Sequence, residues 1–303
     1  MKNKGLLLVL STAVISGFSV FINKYGVSVI NPYVFTWLKN LSVALVLTGL
    51  IFAFKDWRVL KILTKKQWSL LLVIGLIGGA VPFLLFFKGL TLVSAAEGSF
   101  IQKTMFIYIT ILAVIFLKEK IDRKFLFAAL LLLAGNILLL KNFHLSFSLG
   151  SVLIMIATIF WAIENVISKF VLREISWRTV AWARMFFGSV FIFGFLFFTG
   201  QAELVVNLNL KQIGWVAITA VLLLGYVATW YSGLKKVEVT KAAAILLLGA
   251  PITTILSLIS GGQILAREIF AGALIILGIV LIIDIGHIFQ KTKKIWRQKY
   301  ARN

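Results

Sequence analysis

Long runs of apolar residues, each bounded by charged or turn-forming residues, follow one another along the whole chain. A helix needs roughly 20 mostly apolar residues to cross the hydrocarbon core of a bilayer. The pattern predicts ten such spans, at residues 5–23, 33–54, 67–87, 94–117, 125–140, 148–168, 177–198, 211–233, 240–259 and 268–286. The predicted fold class is therefore an all-α membrane protein of ten transmembrane helices, with no separate soluble domain.

The first span follows Lys2 and Lys4 and so resembles a secretory signal. It lacks an Ala-x-Ala-like cleavage site, and nine further spans follow it. We therefore expect this span to be retained.

The distribution of basic residues predicts the orientation of the chain. Of the 31 Lys and Arg residues, 23 fall in loops and tails on one side of the spans, five fall on the other side and three lie inside spans. Cytoplasmic loops carry the excess of Lys and Arg, so both termini are expected in the cytoplasm. The expected location is a bacterial or archaeal cytoplasmic (inner) membrane.

Composition supports the membrane assignment and excludes several classes of protein. Hydrophobic residues make up 61% of the chain and charged residues 14%, against about 45–50% and 25% in soluble proteins. A net charge of +21 would indicate a nucleic-acid partner in a soluble protein. Here the bases lie between apolar runs, so the expected partner is the lipid bilayer and no nucleic acid. The absence of cysteine excludes disulfides and thiolate metal sites.

The two halves of the sequence match after a shift of about 144 residues. The matches include polar and small residues as well as apolar ones: Asn23-Lys24-Tyr25 with Ser168-Lys169-Phe170, Trp37 with Trp182, Lys39 with Arg184, Phe86-Phe87 with Trp230-Tyr231, and Gly89-Leu90 with Gly233-Leu234. Each half holds five predicted spans, and an odd number inserts the second half upside down relative to the first. The predicted organisation is a five-helix repeat at 1–143, an inverted five-helix repeat at 144–290 and a basic cytoplasmic tail at 291–303.

Several motifs resemble those of the drug/metabolite transporter superfamily, in its ten-helix, EamA-type group of paired five-helix domains. They are Leu117-Lys118-Glu119-Lys120-Ile121 closing span four, residues 90–95 leading into that span, Trp161-Ala162 in span six, Lys24 and Lys169, and Pro251 in span nine. Three positions depart from the family pattern: no Trp precedes Gly17, Phe106 stands where proline is frequent, and Gln263 replaces an expected glutamate. The resemblance implies transport and leaves the substrate open.

Placing an ionisable side chain inside a span costs free energy, so each such residue is a candidate for function. Lys39 and Arg184 lie about 9–10 Å deep in their spans. Either they snorkel to the nearer interface, or they are cavity charges. Glu164 and Arg184 are at similar depths in neighbouring helices, where an ion pair is available. The alternative for Glu164 is a role in proton coupling or cation binding.

Lys103 lies about 9–14 Å into span four and has no acid three or four residues away. The family resemblance places span four beside the cavity, together with Gln102 and Tyr108. We expect Lys103 to meet a substrate anion or carboxylate. The alternative is a bond to helix-end carbonyls, or to Glu97 through water.

Aromatic residues are the remaining candidates for the wall of a substrate site. Phe86 and Phe87 in span three, their mates Trp230 and Tyr231 in span eight, and Trp161 in span six lie deeper than the interfacial tryptophans. An aromatic cavity with few polar groups suits a small amphipathic solute. Plain helix packing is the alternative for each of these side chains.

The sequence lacks the motifs of intramembrane metalloproteases and serine hydrolases, and its two histidines, His144 and His287, sit at span ends. We therefore expect no enzyme activity, no cofactor and no metal. The leading hypothesis is a secondary transporter of a small organic metabolite, such as an amino acid or another carboxylate-bearing solute, working by alternating access as a monomer. The alternatives are a proton-coupled exporter of organic cations or drugs acting through Glu164 and, from another class, a lipid flippase or a membrane scaffold.

Overall fold

The computed structural model describes residues 2–139, 148–205, 208–260 and 266–283, and these residues form helices and connections without any strand. The long helical segments, labelled here in chain order, are α1 Lys2–Val29, α2 Pro32–Ala53, α3 Lys65–Leu92, α4 Ala95–Leu117, α5 Arg123–Leu138, α6 Leu149–Val171, α7 Trp177–Phe198, α8 Leu210–Leu234, α9 Val239–Ile259 and α10 Ala266–Ile283. Short helical turns, Trp57–Leu60 and Ala202–Val205, lie in two connections.

Within the described residues, eight segments, α1 to α4 and α6 to α9, are long and apolar enough to cross a membrane. The prediction of an all-helical, multi-pass membrane protein is confirmed, whereas a total of ten crossings stays a prediction. The predicted boundary at 143/144, His144, Gln263, His287 and the tail at 291–303 lie outside the described residues.

Polar side chains fix where most of the helices begin. The first backbone N–H groups of a helix have no partner inside it, and a preceding Ser, Thr, Asn or Asp oxygen can accept from them. Such caps precede α2 to α8: Asn31, Thr64, Ser94, Asp122, Ser148, Ser176 and Asn209. Thr64 and Asn209 form full capping boxes with Gln67 and Gln212. These caps define the first residues of seven helices.

Three helices depart from regular α geometry partway along their length. Helix α3 is α-helical to Ile74, takes π-helical turns at Gly75–Ala80 and resumes as α-helix at Val81. Helix α4 ends in π-helical turns at Ala113–Leu117, and α9 contains a 3-10 turn at Leu246–Leu248. The breaks in α3 and α9 lie shortly before Pro82 and Pro251, since proline removes a helical donor.

The packing of the helices repeats itself when the two halves are exchanged. Helix α1 packs on α8 and α9, and its repeat mate α6 packs on α3 and α4 in the same way. The mates α2 and α7 pack on each other, as do α4 and α9, and α5 and α10. This exchange of partners is what a two-fold relation between the halves produces.

Glycines at matching positions let α3 approach α6 closely and, in the equivalent contact, let α8 approach α1. A Cβ on Gly89 of α3 would lie 2.8 Å from the carbonyl oxygen of Gly150 in α6. The mates of these residues repeat the contact, because a Cβ on Gly233 of α8 would lie 3.2 Å from the carbonyl oxygen of Gly5 in α1. Small residues at both crossings therefore hold each half against the other.

Candidate functional site

A cavity lies among the helices and is lined from both halves of the chain. About 60 Å³ of it is open to the centres of water-sized molecules, and the surrounding non-protein space of about 620 Å³ includes space open to the outside. Its lining comes from seven helices: Ser16, Ser19, Val20 and Asn23 of α1, Lys39 of α2, Phe83, Phe86 and Phe87 of α3, Gln102 and Met105 of α4, Trp161 and Asn165 of α6, Arg184 of α7, and Leu223 and Tyr226 of α8. Six predicted site residues are therefore in the lining: Lys39, Phe86, Phe87, Gln102, Trp161 and Arg184.

The wall contributed by α3 and α6 is aromatic. The ring centroids of Phe83 and Phe86 lie 5.4 and 5.2 Å from that of Trp161, and Phe86 contacts Phe87 at 5.3 Å. Each pair meets edge-on or tilted, which is a favourable arrangement for ring quadrupoles. The rings form a rigid apolar surface on one side of the cavity.

Lys39 points into the interior and does not snorkel to an interface. Its side chain is almost completely buried, and its Nζ donates to Asn23 Oδ1 at 2.9 Å. The same ammonium lies 3.7 Å from the centroid of Phe87 and 5.1 Å from that of Phe35, which are cation–π distances. One of its three donors is therefore paired with protein oxygen and the face of the ammonium rests on rings.

Arg184 takes part in a buried network at the side of the cavity. Its Nη1 donates to the Tyr231 hydroxyl at 3.1 Å, and that hydroxyl donates to Glu164 Oε1 at 2.6 Å. Ser168 donates to the same carboxylate oxygen. Arg184 Nη1 lies 3.9 Å from Glu164 Oε2, so the expected ion pair exists at the limit of direct contact and is bridged by Tyr231.

The break in α3 supplies this network with a backbone acceptor. Proline at position 82 has no N–H, so the carbonyl four residues earlier, that of Gly78, has no α-helical donor. Trp161 Nε1 donates to this oxygen at 3.0 Å, and Arg184 Nε donates to it at 3.1 Å. The proline therefore explains why two buried donors from α6 and α7 converge on α3.

Lys103 is buried behind the cavity lining. Its Nζ donates to Ser16 Oγ at 2.6 Å and to Gln102 Oε1 at 3.3 Å, while Glu97 accepts from Ser151 elsewhere. Ser16 and Gln102 line the cavity, so Lys103 contacts the lining through its hydrogen bonds to these two side chains. Neither alternative contact, with helix-end carbonyls or with Glu97, is among its bonds in the described chain.

The other predicted residues surround the lining or lie away from it. Trp230 is fully buried, donates from Nε1 to Asn165 Oδ1 at 2.7 Å and stacks on Tyr226. Glu164 and Tyr231 belong to the network beside Arg184. Tyr108 is half-buried against the apolar core and does not line the cavity.

The polar side of the cavity is formed by α1, which sequence reasoning missed. Ser16, Ser19 and Asn23 recur at three- and four-residue intervals in an apolar helix, and Asn23 Nδ2 donates to Ser19 Oγ at 2.8 Å. Such spacing places polar groups on one helix face. This spacing is a signal that could have identified them before the structure.

The sequence matches the model of the EamA-like transporter family twice, at residues 3–141 and 148–284. The chain belongs to the EamA-like transporter family. The two matches correspond to the two halves that the internal repeat defines, and they confirm the predicted family.

Individual EamA-like relatives match over nearly their full length. The chain is 27% identical to an uncharacterized transporter, YyaM, of Bacillus subtilis (strain 168), over 87% of this chain and 90% of that protein. It is 28% identical to the riboflavin transporter ImpX of Fusobacterium nucleatum subsp. nucleatum, over 92% of this chain and 97% of that protein. A solved crystal structure shares the fold with a TM-score of 0.72 at 17% identity, covering 93% of this chain and 96% of the other.

The motif after α4 in this EamA-like chain caps another helix. Lys118 adopts a left-handed conformation, φ 55°, that ends the helix. Glu119 then accepts from the backbone N–H groups of Val239 and Thr240 at 2.9 and 3.1 Å. A carboxylate at a helix N-terminus satisfies unpaired donors and interacts favourably with the helix dipole. The motif therefore ties the first half to the start of α9.

The paired lysines of the two repeats make the same contacts at different ends of the structure. Lys24 Nζ donates to the carbonyls of Leu90 and Val93, at 2.7 and 2.6 Å, where α3 ends. Its mate Lys169 donates to the carbonyls of Leu234 and Val237, at 2.6 and 2.5 Å, where α8 ends. A cation here satisfies orphan carbonyls at the negative end of a helix dipole.

Proposed function

We propose that the protein is a secondary transporter that moves a small organic metabolite by alternating access through the cavity described above. The observation that carries this proposal is a polar and aromatic cavity inside apolar helices, lined by both repeats and by the repeat mates Lys39 and Arg184. Two related halves around one site can expose it to either side in turn. The family membership and the relatives named as transporters support the same function.

The membrane arrangement that we propose has ten crossings, with an inverted repeat at 1–143 and 144–290 and a cytoplasmic tail at 291–303. Both termini lie in the cytoplasm, because 23 of 31 basic residues then fall on that side. The membrane that we propose is the cytoplasmic one. The working unit that we propose is a monomer, because both repeats that line the cavity belong to one chain.

The substrate combines an apolar, ring-containing body with a polar group. The rings of Phe83, Phe86 and Trp161 provide the apolar surface, and the amides of Asn23, Gln102 and Asn165 provide hydrogen bonds. The relative named as a riboflavin transporter supports a ring-containing solute as a member of the test panel.

Transport in proteoliposomes tests the function directly. Purified protein is reconstituted with amino acids, aromatic carboxylates, organic cations and riboflavin inside, and uptake of each labelled solute is measured as counterflow. The expected result is saturable counterflow of one class and none in protein-free liposomes. Absence of counterflow for every solute would contradict the proposal.

We propose protons as the coupling ion. Glu164 is fully buried, and its Oε2 has no hydrogen-bond donor among the described residues. This buried acid lies beside Arg184 of the cavity wall, so it is the group through which we propose that protons couple to transport. Transport by Glu164→Gln should therefore lose its dependence on an imposed pH gradient, and an unchanged dependence would exclude this coupling. Export of organic cations is disfavoured because, among the described residues, bases and no carboxylate line the cavity.

A further inference from the structure

The two repeats place one buried base each at the cavity, but only one of these bases has an acid beside it. Arg184 in the second repeat lies 3.9 Å from Glu164. Lys39 is its mate in the first repeat, and the position that matches Glu164 is Ser19. The first repeat therefore keeps the base and lacks its counter-ion.

The neighbours of the two bases correspond in the same way. Tyr231 bridges Arg184 to its acid through a hydroxyl, and its mate Phe87 offers Lys39 only a ring face, 3.7 Å away. Asn23, the mate of Ser168, accepts from Lys39 through its amide oxygen. The residues around Lys39 thus correspond to those around Arg184, except that no carboxylate corresponds to Glu164.

In the part of the chain that the structure describes, the buried ammonium of Lys39 has no negative charge beside it to compensate its own. The side chain is 1% exposed, and within the described ranges no carboxylate lies at ion-pair distance from its Nζ. An ammonium has three donors, and one is used by Asn23. A buried charge is tolerated when it is paired and hydrogen-bonded, and ring faces supply only part of that compensation.

Lys39, Ser19 and Asn23 all line the cavity, so a solute in the cavity can reach the ammonium. We propose that the transported solute is an organic anion whose charged group binds Lys39 beside Ser19 and Asn23, in the position that Glu164 occupies relative to Arg184. The apolar body of this anion lies against Phe86 and Trp161. This inference rests on the proposed transport function and names the substrate class for it.

The other two buried bases are already engaged. Arg184 donates to Gly78 and Tyr231 and has Glu164 nearby. Lys103 donates to Ser16 and Gln102 and is not part of the cavity lining. Lys39 is therefore the base that we assign to anion binding. The sequence had suggested Lys103 for this contact.

Binding to the purified full-length protein in detergent tests the charge preference without requiring transport. Three anions are each compared with a neutral partner of the same ring system: indole-3-acetate with indole-3-acetamide, benzoate with benzamide, and flavin mononucleotide with riboflavin. A ligand that binds the folded state raises the melting temperature, so a thermal-shift titration gives each apparent affinity. In at least one pair the anion should bind about ten-fold or more tightly than its partner, the range of a charge-assisted hydrogen bond.

Substitutions at two positions separate charge from shape. Ser19→Asp adds the counter-ion that the first repeat lacks and should reduce anion affinity about ten-fold or more, whereas Ser19→Asn, which is nearly isosteric, should retain it. Lys39→Gln should lose the preference for the anion and Lys39→Arg should keep it. Lys211→Gln, which removes an exposed base at the start of α8, serves as the control for net charge.

The outcomes are decisive for the binding site and separate it from the transport proposal. If no anion binds more tightly than its neutral partner, or if Ser19→Asp and Ser19→Asn behave alike while both melt cooperatively, the anion site is wrong. If anions bind as expected but no solute shows counterflow, the transport proposal fails and the site stands. If a neutral solute is transported and Lys39→Gln has no effect, transport stands and the site fails.

Discussion

The Tyr231 hydroxyl connects the two buried charges of the second repeat, because it accepts from Arg184 and donates to Glu164. Tyr231→Phe removes one partner from each charge and leaves both buried. We expect a loss of about 1–3 kcal/mol of stability, seen as a fall of several degrees in the melting temperature in detergent. Tyr108→Phe is the control, since its half-buried hydroxyl has no hydrogen bond within the described structure. Equal melting temperatures for the two variants would show that the bridge contributes nothing.

At the same scale, the sequence identified the candidate site residues better than it identified the groups that they contact. Lys39 and Arg184 were recognised as intramembrane bases, and the structure places both at the cavity. Lys103 had the same signature but is rotated towards Ser16 on α1, a contact between residues 87 positions apart. Helical periodicity gives the spacing of side chains along one helix and not the rotation of that helix against its neighbours. Tyr108 is away from the cavity for the same reason.

The crossing of α3 and α7 depends on two glycines that face each other. A Cβ on Gly79 would lie 2.0 Å from the carbonyl oxygen of Arg184, and one on Gly188 would lie 2.6 Å from the carbonyl oxygen of Gly79. Gly79→Ala must therefore push the helices apart, with an expected loss of about 1–3 kcal/mol measured as a lower melting temperature. Gly194→Ala is the matched control on α7, where a Cβ meets nothing within 4 Å. It should be neutral or slightly stabilising, since alanine favours helix.

At the scale of elements, apolar runs located the helices well because lipid requires every backbone group to be bonded within its own segment. Span eight was predicted at 211–233 and is observed at Leu210–Leu234. The first helix, Lys2–Val29, runs six residues beyond its predicted end at position 23. Proline lies just beyond the breaks in α3 and α9, but no proline lies near the π-helical turns at the end of α4.

For the whole molecule, the internal repeat was the most informative feature of the sequence. It predicted that two halves of like structure face each other, and the exchange of helix partners between halves agrees with this. The repeat already places Ser19 opposite Glu164, but the consequence of that difference appears only when Lys39 and Arg184 are seen at the same cavity. The repeat thus predicted two related halves, and the difference between Ser19 and Glu164 is the basis of the proposed anion site.

The mated lysines Lys24 and Lys169 make a prediction about alternating access. They close equivalent junctions at the ends of α3 and α8, which lie on opposite faces of the membrane in the proposed topology. Removing two charge-assisted hydrogen bonds at one face should favour opening there, shifting the population about ten-fold or more. Lys24→Met should therefore open the cavity to the outside and Lys169→Met should open it to the cytoplasm.

The chain contains no cysteine, so a single Leu223→Cys substitution in the cavity wall reports access without background. Labelling by a membrane-impermeant maleimide is measured from outside in intact cells and from inside in inverted vesicles. Lys24→Met should speed labelling from outside and slow it from inside, and Lys169→Met should do the reverse, while Lys211→Gln leaves both rates unchanged. Opposite effects require that the two junctions act as alternate gates. If both variants speed labelling from the same side, the lysines only hold helix ends in place, and access is controlled elsewhere in the molecule.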